Sequence, residues 1–273
     1  MIPENKTYFF ELNCTELMKR FYWLLFIFAG ISFSCKKQSD LSLIINVEDE
    51  FSLELWEELE PYNRTFQLKF STFKKTFACT NYEIAFDKIQ SGTNLFVNIL
   101  DLIGPEDCLA GNDQAKGEVE FDPLDPGIYR IRINLKNEVS NEGILEVNQN
   151  FYQLSLEQQN GISLKESKLF RVPNGLIWGQ IQTKDVQLLA NFKKDIENIT
   201  LPAEISEGNY GYFEFRENQI TLPSEQELNE SITFAYTIAT TDIPQLKDLI
   251  KQYRGEPGKE IPLTIYTWQG IAY

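Results

Sequence analysis

Histidine is missing from this chain of 273 residues. Imidazole is the usual base of Ser-His-Asp and Cys-His enzymes and the commonest side-chain zinc ligand. The sequence therefore excludes these enzymes and ordinary histidine zinc sites. It also lacks a glycine-rich phosphate loop, a Gly-x-Ser-x-Gly elbow and a Cys-x-x-Cys pair. An enzyme with this composition would have to use carboxylates as its catalytic acid and base, and no pair of Asp or Glu residues in the sequence is marked for that role. We predict a non-enzymatic protein without a cofactor or a metal.

Basic residues are scarce. The chain has 25 Lys and Arg against 40 Asp and Glu, which gives a net charge of −15. The first 34 residues carry three of each sign, so their removal leaves this value unchanged. Because such a surface repels phosphate backbones, nucleic acid is excluded as a partner.

A long hydrophobic run is also missing. Residues 21–31 form an apolar stretch of eleven residues, preceded by Lys19 and Arg20. A membrane-spanning helix needs about 20 apolar residues, whereas the apolar region of a signal peptide has about 7–15. The length and the basic flank together predict an export signal.

Residues 18–35 resemble the signal peptide and lipobox of bacterial lipoproteins, in the serine-rich form of Bacteroidota, through Ser32-Phe33-Ser34-Cys35. The resemblance implies that Cys35 is acylated and becomes the first residue of the mature chain. It also implies anchoring in the cell envelope, at the outer membrane facing the periplasm or at the cell surface. An ordinary secretory peptide with an incidental cysteine, or a buried core helix, is the alternative.

Two short segments flank this signal. Residues 1–17 contain Glu4, Glu11 and Glu16, which are atypical ahead of a basic signal-peptide start, so we predict that Met18 is the true initiator. Residues 36–40 are predicted to be a polar tether.

Only four cysteines are present. Cys14 precedes the predicted start and Cys35 is the predicted acylation site, which leaves Cys79 and Cys108 as an even pair. In an oxidising compartment such a pair usually bridges, and closing a loop of about 30 residues stabilises a domain by about 3 kcal/mol. We predict this disulfide over two buried free thiols.

The fold class predicted is α+β with more than one domain. Residues 41–157 show about seven or eight short alternating segments, typical of an immunoglobulin-like antiparallel β-sandwich. Within them, residues 125–129 (Asp-Pro-Gly-Ile-Tyr) resemble the tyrosine corner of immunoglobulin-like domains, in which a tyrosine bonds back to the preceding loop.

Residues 158–174 are predicted to be a linker with one weak strand, and residues 175–273 a ferredoxin-like domain. In residues 175–273 the spacing of the apolar residues changes, and the predicted order of elements is strand, helix, strand, strand, helix, strand. We expect strands at 176–182, 210–215, 232–238 and 261–268, and helices at 184–199 and after Asp242, which has Pro244 in its first turn.

Strand parity places four aromatic residues on the sheet face away from the helices: Trp178, Tyr212, Tyr266 and Trp268. An open face of this kind is suited to stacking on sugar rings. The alternative, which we favour, is that the face packs against the sandwich.

The acidic loops contain candidate calcium ligands. Residues 106–107 with 112–113, and Asp122 with Asp125, supply oxygen ligands. Neither pair has EF-hand spacing, so we favour solvated loop carboxylates.

These patterns predict a lipid-anchored envelope protein that has a binding or structural role, with an envelope protein or a glycan as its partner. A carbohydrate-binding lipoprotein and a carboxylate-dependent glycan hydrolase are the alternatives.

Overall fold

The computed structural model describes residues 48–136, 138–223, 231–255 and 261–273. The described part of the protein is mostly β, with 54% of its residues in strands and 13% in helices, and it contains several sheets. The predicted start, signal peptide, acylation site and tether, residues 1–40, lie outside the described residues. Among the helices that are described, none has the length and apolar content needed to cross a membrane.

The first ten strands form one sheet. Its order is β10-β8-β7-β6-β4-β3-β5-β2-β1-β9. The strands are β1 (Phe51–Leu59), β2 (Arg64–Cys79), β3 (Glu83–Ser91), β4 (Asn94–Ile103), β5 (Ala110–Glu120), β6 (Gly127–Leu135), β7 (Val139–Val147), β8 (Phe151–Leu156), β9 (Ile162–Leu164) and β10 (Lys168–Phe170).

This ten-stranded sheet folds over onto itself. Phe66 on β2 and Tyr152 on β8 belong to opposite ends of the strand order, yet their ring centroids are 4.7 Å apart. Alternating apolar residues face the enclosed core, such as Leu53 on β1 and Ile133 on β6, both with no exposed surface. The period-2 pattern of the sequence therefore arises because one face of each strand is buried.

The C-terminal part has a four-stranded antiparallel sheet in the order β12-β16-β11-β17. Its strands are β11 (Leu176–Gln182), β12 (Leu201–Pro202), β16 (Ser231–Thr237) and β17 (Leu263–Thr267). Helix α1 (Val186–Glu197) lies between β11 and β12 in the chain, and α2 (Ile243–Arg254) lies between β16 and β17. A separate three-stranded sheet holds β13 (Gly208–Asn209), β14 (Glu214–Arg216) and β15 (Gln219–Thr221).

The two helices begin at Val186 and Ile243, and Asp242, which precedes α2, forms no side-chain capping bond. Asp185 precedes α1, and its carboxylate accepts the backbone N–H groups of Gln187 and Leu188 at 3.0 and 3.1 Å. This satisfies two donors that have no partner within the helix. Pro244 lies in the first turn of α2, where its missing N–H costs nothing.

Two segments differ from the sequence expectation. Residues 210–215 are not a strand of the four-stranded sheet, because the position beside β16 is taken by the two-residue strand β12. Residues 158–174 contribute both β9 and β10 to the ten-stranded sheet, where the sequence indicated one weak strand.

Strand β1 links the two cores. Phe51, Leu53 and Leu55 lie in the core of the ten-stranded sheet, whereas Leu59 belongs to the core of the C-terminal part. The Leu59 carbonyl also approaches Gly270, which follows β17 and has φ +70°. A Cβ at position 270 would overlap that carbonyl oxygen, so the close approach requires glycine.

We expect Gly270→Ala to lower the free energy of unfolding by about 3 kcal/mol, because it adds a clash with the Leu59 carbonyl to the cost of a positive φ. Gly92→Ala is the matched control. Gly92 has φ +56° and open space where its Cβ would lie, so its cost is about 1 kcal/mol. Urea denaturation of both variants measures the difference, and equal losses would show that the contact at Leu59 has no energetic role.

Candidate functional site

Three of the four predicted aromatic residues form one cluster. The ring of Trp178 lies 5.8 Å from that of Tyr266 and 5.9 Å from that of Tyr212. Tyr212 in turn lies 4.7 Å from Trp56 on β1, and its hydroxyl accepts the backbone N–H of Leu59 at 3.1 Å. This face of the C-terminal sheet is therefore in contact with the end of β1.

The two predicted tryptophans are buried. Trp178 is 1% exposed and Trp268 is 8% exposed. Burial raises the pKa of Tyr212 to about 12, which keeps its phenol neutral. The cluster has little surface left for a sugar ring to stack on.

A buried carboxylate lies between the two cores. Glu57 is on the inward-facing side of β1 and is 2% exposed. Its Oε1 accepts hydrogen bonds from Arg171 Nε at 2.8 Å and from the Tyr152 hydroxyl at 3.0 Å. Arg64 Nη1 is 3.6 Å from Glu57 Oε2. A carboxylate removed from water is tolerated only with such partners.

The two arginines also bind backbone on other elements. Arg64 donates to the carbonyls of Val172 and Trp268 and to Asn174 Oδ1. Arg171 donates to the Asn148 carbonyl at 3.2 Å. Burial lowers the pKa of Arg64 from its usual value, partly offset by the nearby carboxylate of Glu57, so the guanidinium stays charged. We call Glu57, Arg64, Tyr152 and Arg171 the junction network.

Sequence reasoning missed the junction network. Its one signal was a charged residue at an inward position of β1, between Leu55 and Leu59. Two of the partners of Glu57, Tyr152 and Arg171, lie 95 and 114 residues away in the chain, so no local sequence pattern identifies them.

Two other predicted features are seen in the structure. Cys79 and Cys108 form a disulfide bond that joins the end of β2 to the segment between β4 and β5. The Tyr129 hydroxyl donates to the Asp125 carbonyl at 2.8 Å, which is the back-bond expected of the tyrosine corner.

An open surface depression lies on the outer face of β4, β6 and β7. Phe96 pairs with Arg132, Arg132 with Glu142, and Arg130 with Ile144, so these side chains share a face. They border a depression of about 650 Å³. We define the outer sheet face as Asn94, Phe96, Ile128, Arg130, Arg132, Glu142 and Ile144.

The outer sheet face combines exposed apolar side chains with arginine. Ile128 is 56% and Ile144 is 48% exposed. Arg132 is paired with Glu142 at 2.6 Å, whereas Arg130 forms no salt bridge with any residue that the structure describes. Arginine and exposed apolar residues together are typical of protein interfaces.

The acidic loops show no metal site. Within the described ranges, no group of three or more acidic or cysteine side chains could hold a metal ion. Asp113, one of the suggested calcium ligands, instead accepts a bond from Lys116 Nζ at 2.8 Å. This bond, with one from the Gln114 backbone, lowers the pKa of its carboxyl.

No family model, curated protein or solved structure matches this chain.

We expect Arg171→Met to lower the free energy of unfolding by about 3 kcal/mol or more, because it leaves the Glu57 carboxylate buried without its closest cation. The double variant Glu57→Leu/Arg171→Met removes both charges and should regain at least half of that loss. Chemical denaturation of both proteins measures the two effects.

The control is Lys251→Met. It breaks an ion pair with Asp248 in which both side chains are 80% exposed, and we expect no measurable change. If Arg171→Met were as stable as Lys251→Met, the junction network would not stabilise the fold.

Proposed function

We propose that this chain is an exported lipoprotein, anchored in the cell envelope through Cys35, that binds a partner protein there. The outer sheet face is the observation that carries the binding role. The disulfide between Cys79 and Cys108 supports the location, because such bonds persist in oxidising compartments. The basic and apolar leader of residues 18–35 supplies the export signal and the acceptor cysteine.

For the fold we propose an immunoglobulin-like sandwich followed by a ferredoxin-like domain. The back-bond of Tyr129 supports the first part. The second is supported by the order β12-β16-β11-β17 with a helix after β11 and another after β16, the arrangement expected from a βαββαβ chain.

The outer sheet face suits a protein partner for a physical reason. Ile128 and Ile144 hold apolar surface in water, and a partner that covers it gains about 25 cal/mol for each Å² buried. The guanidinium of Arg130, which forms no salt bridge with a described residue, is positioned to bind a carboxylate of that partner. The net charge of −15 repels partners that are acidic over their whole surface, so the complementary acid should be local.

We expect Cys35→Ser to abolish incorporation of labelled palmitate and to leave the leader uncleaved, because the thiol is the acyl acceptor. Cys14→Ser is the control and should be labelled like the wild type. Autoradiography and the mass of the purified protein report both outcomes. Unlabelled wild-type protein with an intact leader would refute the lipid anchor.

We expect the double variant Arg130→Glu/Ile144→Glu to lose a stoichiometric partner that cross-links to the full-length protein in membranes. Reversing one charge and adding another in an apolar contact should reduce the cross-linked yield by at least about tenfold, equivalent to 1.4 kcal/mol. Quantitative mass spectrometry of the cross-linked material measures the yield.

Val186→Glu provides a matched control, since Val186 is 76% exposed and lies on α1, outside the ten-stranded sheet that carries the outer sheet face. It should retain the partner. Recovery of the same partner at wild-type yield from the double variant would show that binding occurs elsewhere.

A further inference from the structure

A second concave surface lies where the β1–β2 turn meets the end of β17. It is a cleft of about 320 Å³, near the lower end of the size range of small-molecule sites. The residues that matter for its chemistry are Glu60, Tyr62, Arg64, Asn174, Trp268 and Gln269. We call this surface the junction cleft.

The walls of the junction cleft are fixed by backbone hydrogen bonds. On one side the Glu60 N–H donates to the Asn63 carbonyl at 3.0 Å, which closes the turn that carries Tyr62. On the other side the Trp268 N–H donates to the Leu176 carbonyl at 3.0 Å. Because these bonds hold the backbone of both walls before a ligand arrives, binding would require rearrangement of side chains only.

Arg64 joins the two walls. It follows the turn in the chain, and its guanidinium donates to Asn174 Oδ1 at 2.9 Å and to the Trp268 carbonyl at 3.4 Å. The bond to Asn174 orients the amide so that its NH₂ group is left as a donor. Arg64 thus ties the cleft to the junction network.

The cleft offers both hydrogen-bond donors and acceptors. The Glu60 carboxylate and the Gln269 side-chain amide form no side-chain hydrogen bonds within the described part of the chain, and Glu60 is exposed. A carboxylate only accepts, an amide donates and accepts, and the Asn174 NH₂ donates. A ligand that satisfies all three must itself donate and accept at several neighbouring positions, as the hydroxyl groups of a sugar do.

An aromatic ring stands beside these polar groups. Tyr62 is 101% exposed at the tip of the turn, so its ring is free to cover the apolar C–H face of a ligand. The charges nearby do not favour an anion. Arg64 and Arg171 share the buried carboxylate of Glu57, and Glu60 supplies a second negative charge, so these four groups together are neutral.

We propose that the junction cleft binds one or two neutral sugar units of an envelope glycan, with Tyr62 stacking on a sugar ring and Glu60, Asn174 and Gln269 binding its hydroxyls. This site differs from the aromatic face that the sequence suggested, of which it retains only Trp268. It also lies apart from the outer sheet face, so it does not depend on the protein partner proposed above.

The test is saturation-transfer NMR on the full-length mature protein in a detergent without a sugar headgroup. The probes are glucose, galactose, mannose, N-acetylglucosamine and their neutral disaccharides. We expect at least one probe to bind with a Kd below about 10 mM. Tyr62→Ala and Gln269→Ala should each weaken binding by about tenfold. Tyr62 is exposed, and Gln269 is half-buried with no side-chain hydrogen bond to a described residue, so we expect both variants to fold.

Tyr62→Phe is the matched control, because it keeps the ring and should bind within about twofold of the wild type. The proposal is overturned if no probe binds at about 10 mM, or if Tyr62→Ala and Gln269→Ala bind like the wild type. Loss of sugar binding in Arg130→Glu/Ile144→Glu with retention in Tyr62→Ala would place the sugar on the outer sheet face and also overturn it. Palmitate labelling of Cys35 is independent of every one of these results.

Discussion

The fold depends on a carboxylate that is buried between two cores. Glu57 continues the inward-facing row of β1, and its neighbours in that row are leucines. Its charge can remain there only because Arg171 and Tyr152 bond to one oxygen and Arg64 lies close to the other. These partners come from β2, from β8 and from the chain just after β10, so one side chain fixes the positions of three distant segments.

The same arginine serves the junction and the cleft. Arg64 neutralises Glu57 and also holds Asn174 and the Trp268 backbone, which form one wall of the junction cleft. The shape of that cleft is thus set by the contact between the ten-stranded sheet and the C-terminal part. The outer sheet face differs in this respect, since β4, β6 and β7 pair with each other within a single sheet.

Local features of the fold were predictable from the sequence. The periodic spacing of apolar residues within a short stretch of sequence predicts the strand at 176–182. It also predicts the helix found at 186–197, which was expected at 184–199. The disulfide followed from counting cysteines. The sequence placed residues 210–215 in the four-stranded sheet, at the position that β12 occupies. Because β12 has only two residues, one of them Pro202, no alternating pattern in the sequence marks it as a strand. Phe213 accordingly contacts Trp178, at 5.2 Å between ring centroids.

The candidate sites were harder to predict. The exposure of Ile128 and Ile144 depends on which strands neighbour β6 and β7, and the parallel pairing of β4 with β6 has no signature in the chain. The junction cleft joins a turn near residue 62 to residues beyond 267, a proximity that only the folded chain creates. Trp268 was singled out for its ring, yet its backbone carbonyl is what anchors Arg64.

The strand order affects how readily the ten-stranded sheet can pair with strands of other molecules. The ten-stranded sheet ends in β9 and β10, each of three residues, and only residues 165–167 separate them in the chain. A foreign strand that pairs with β9 or β10 finds only three consecutive residues, too few for a stable ladder. These two end strands are therefore poor templates for cross-β pairing between copies held side by side.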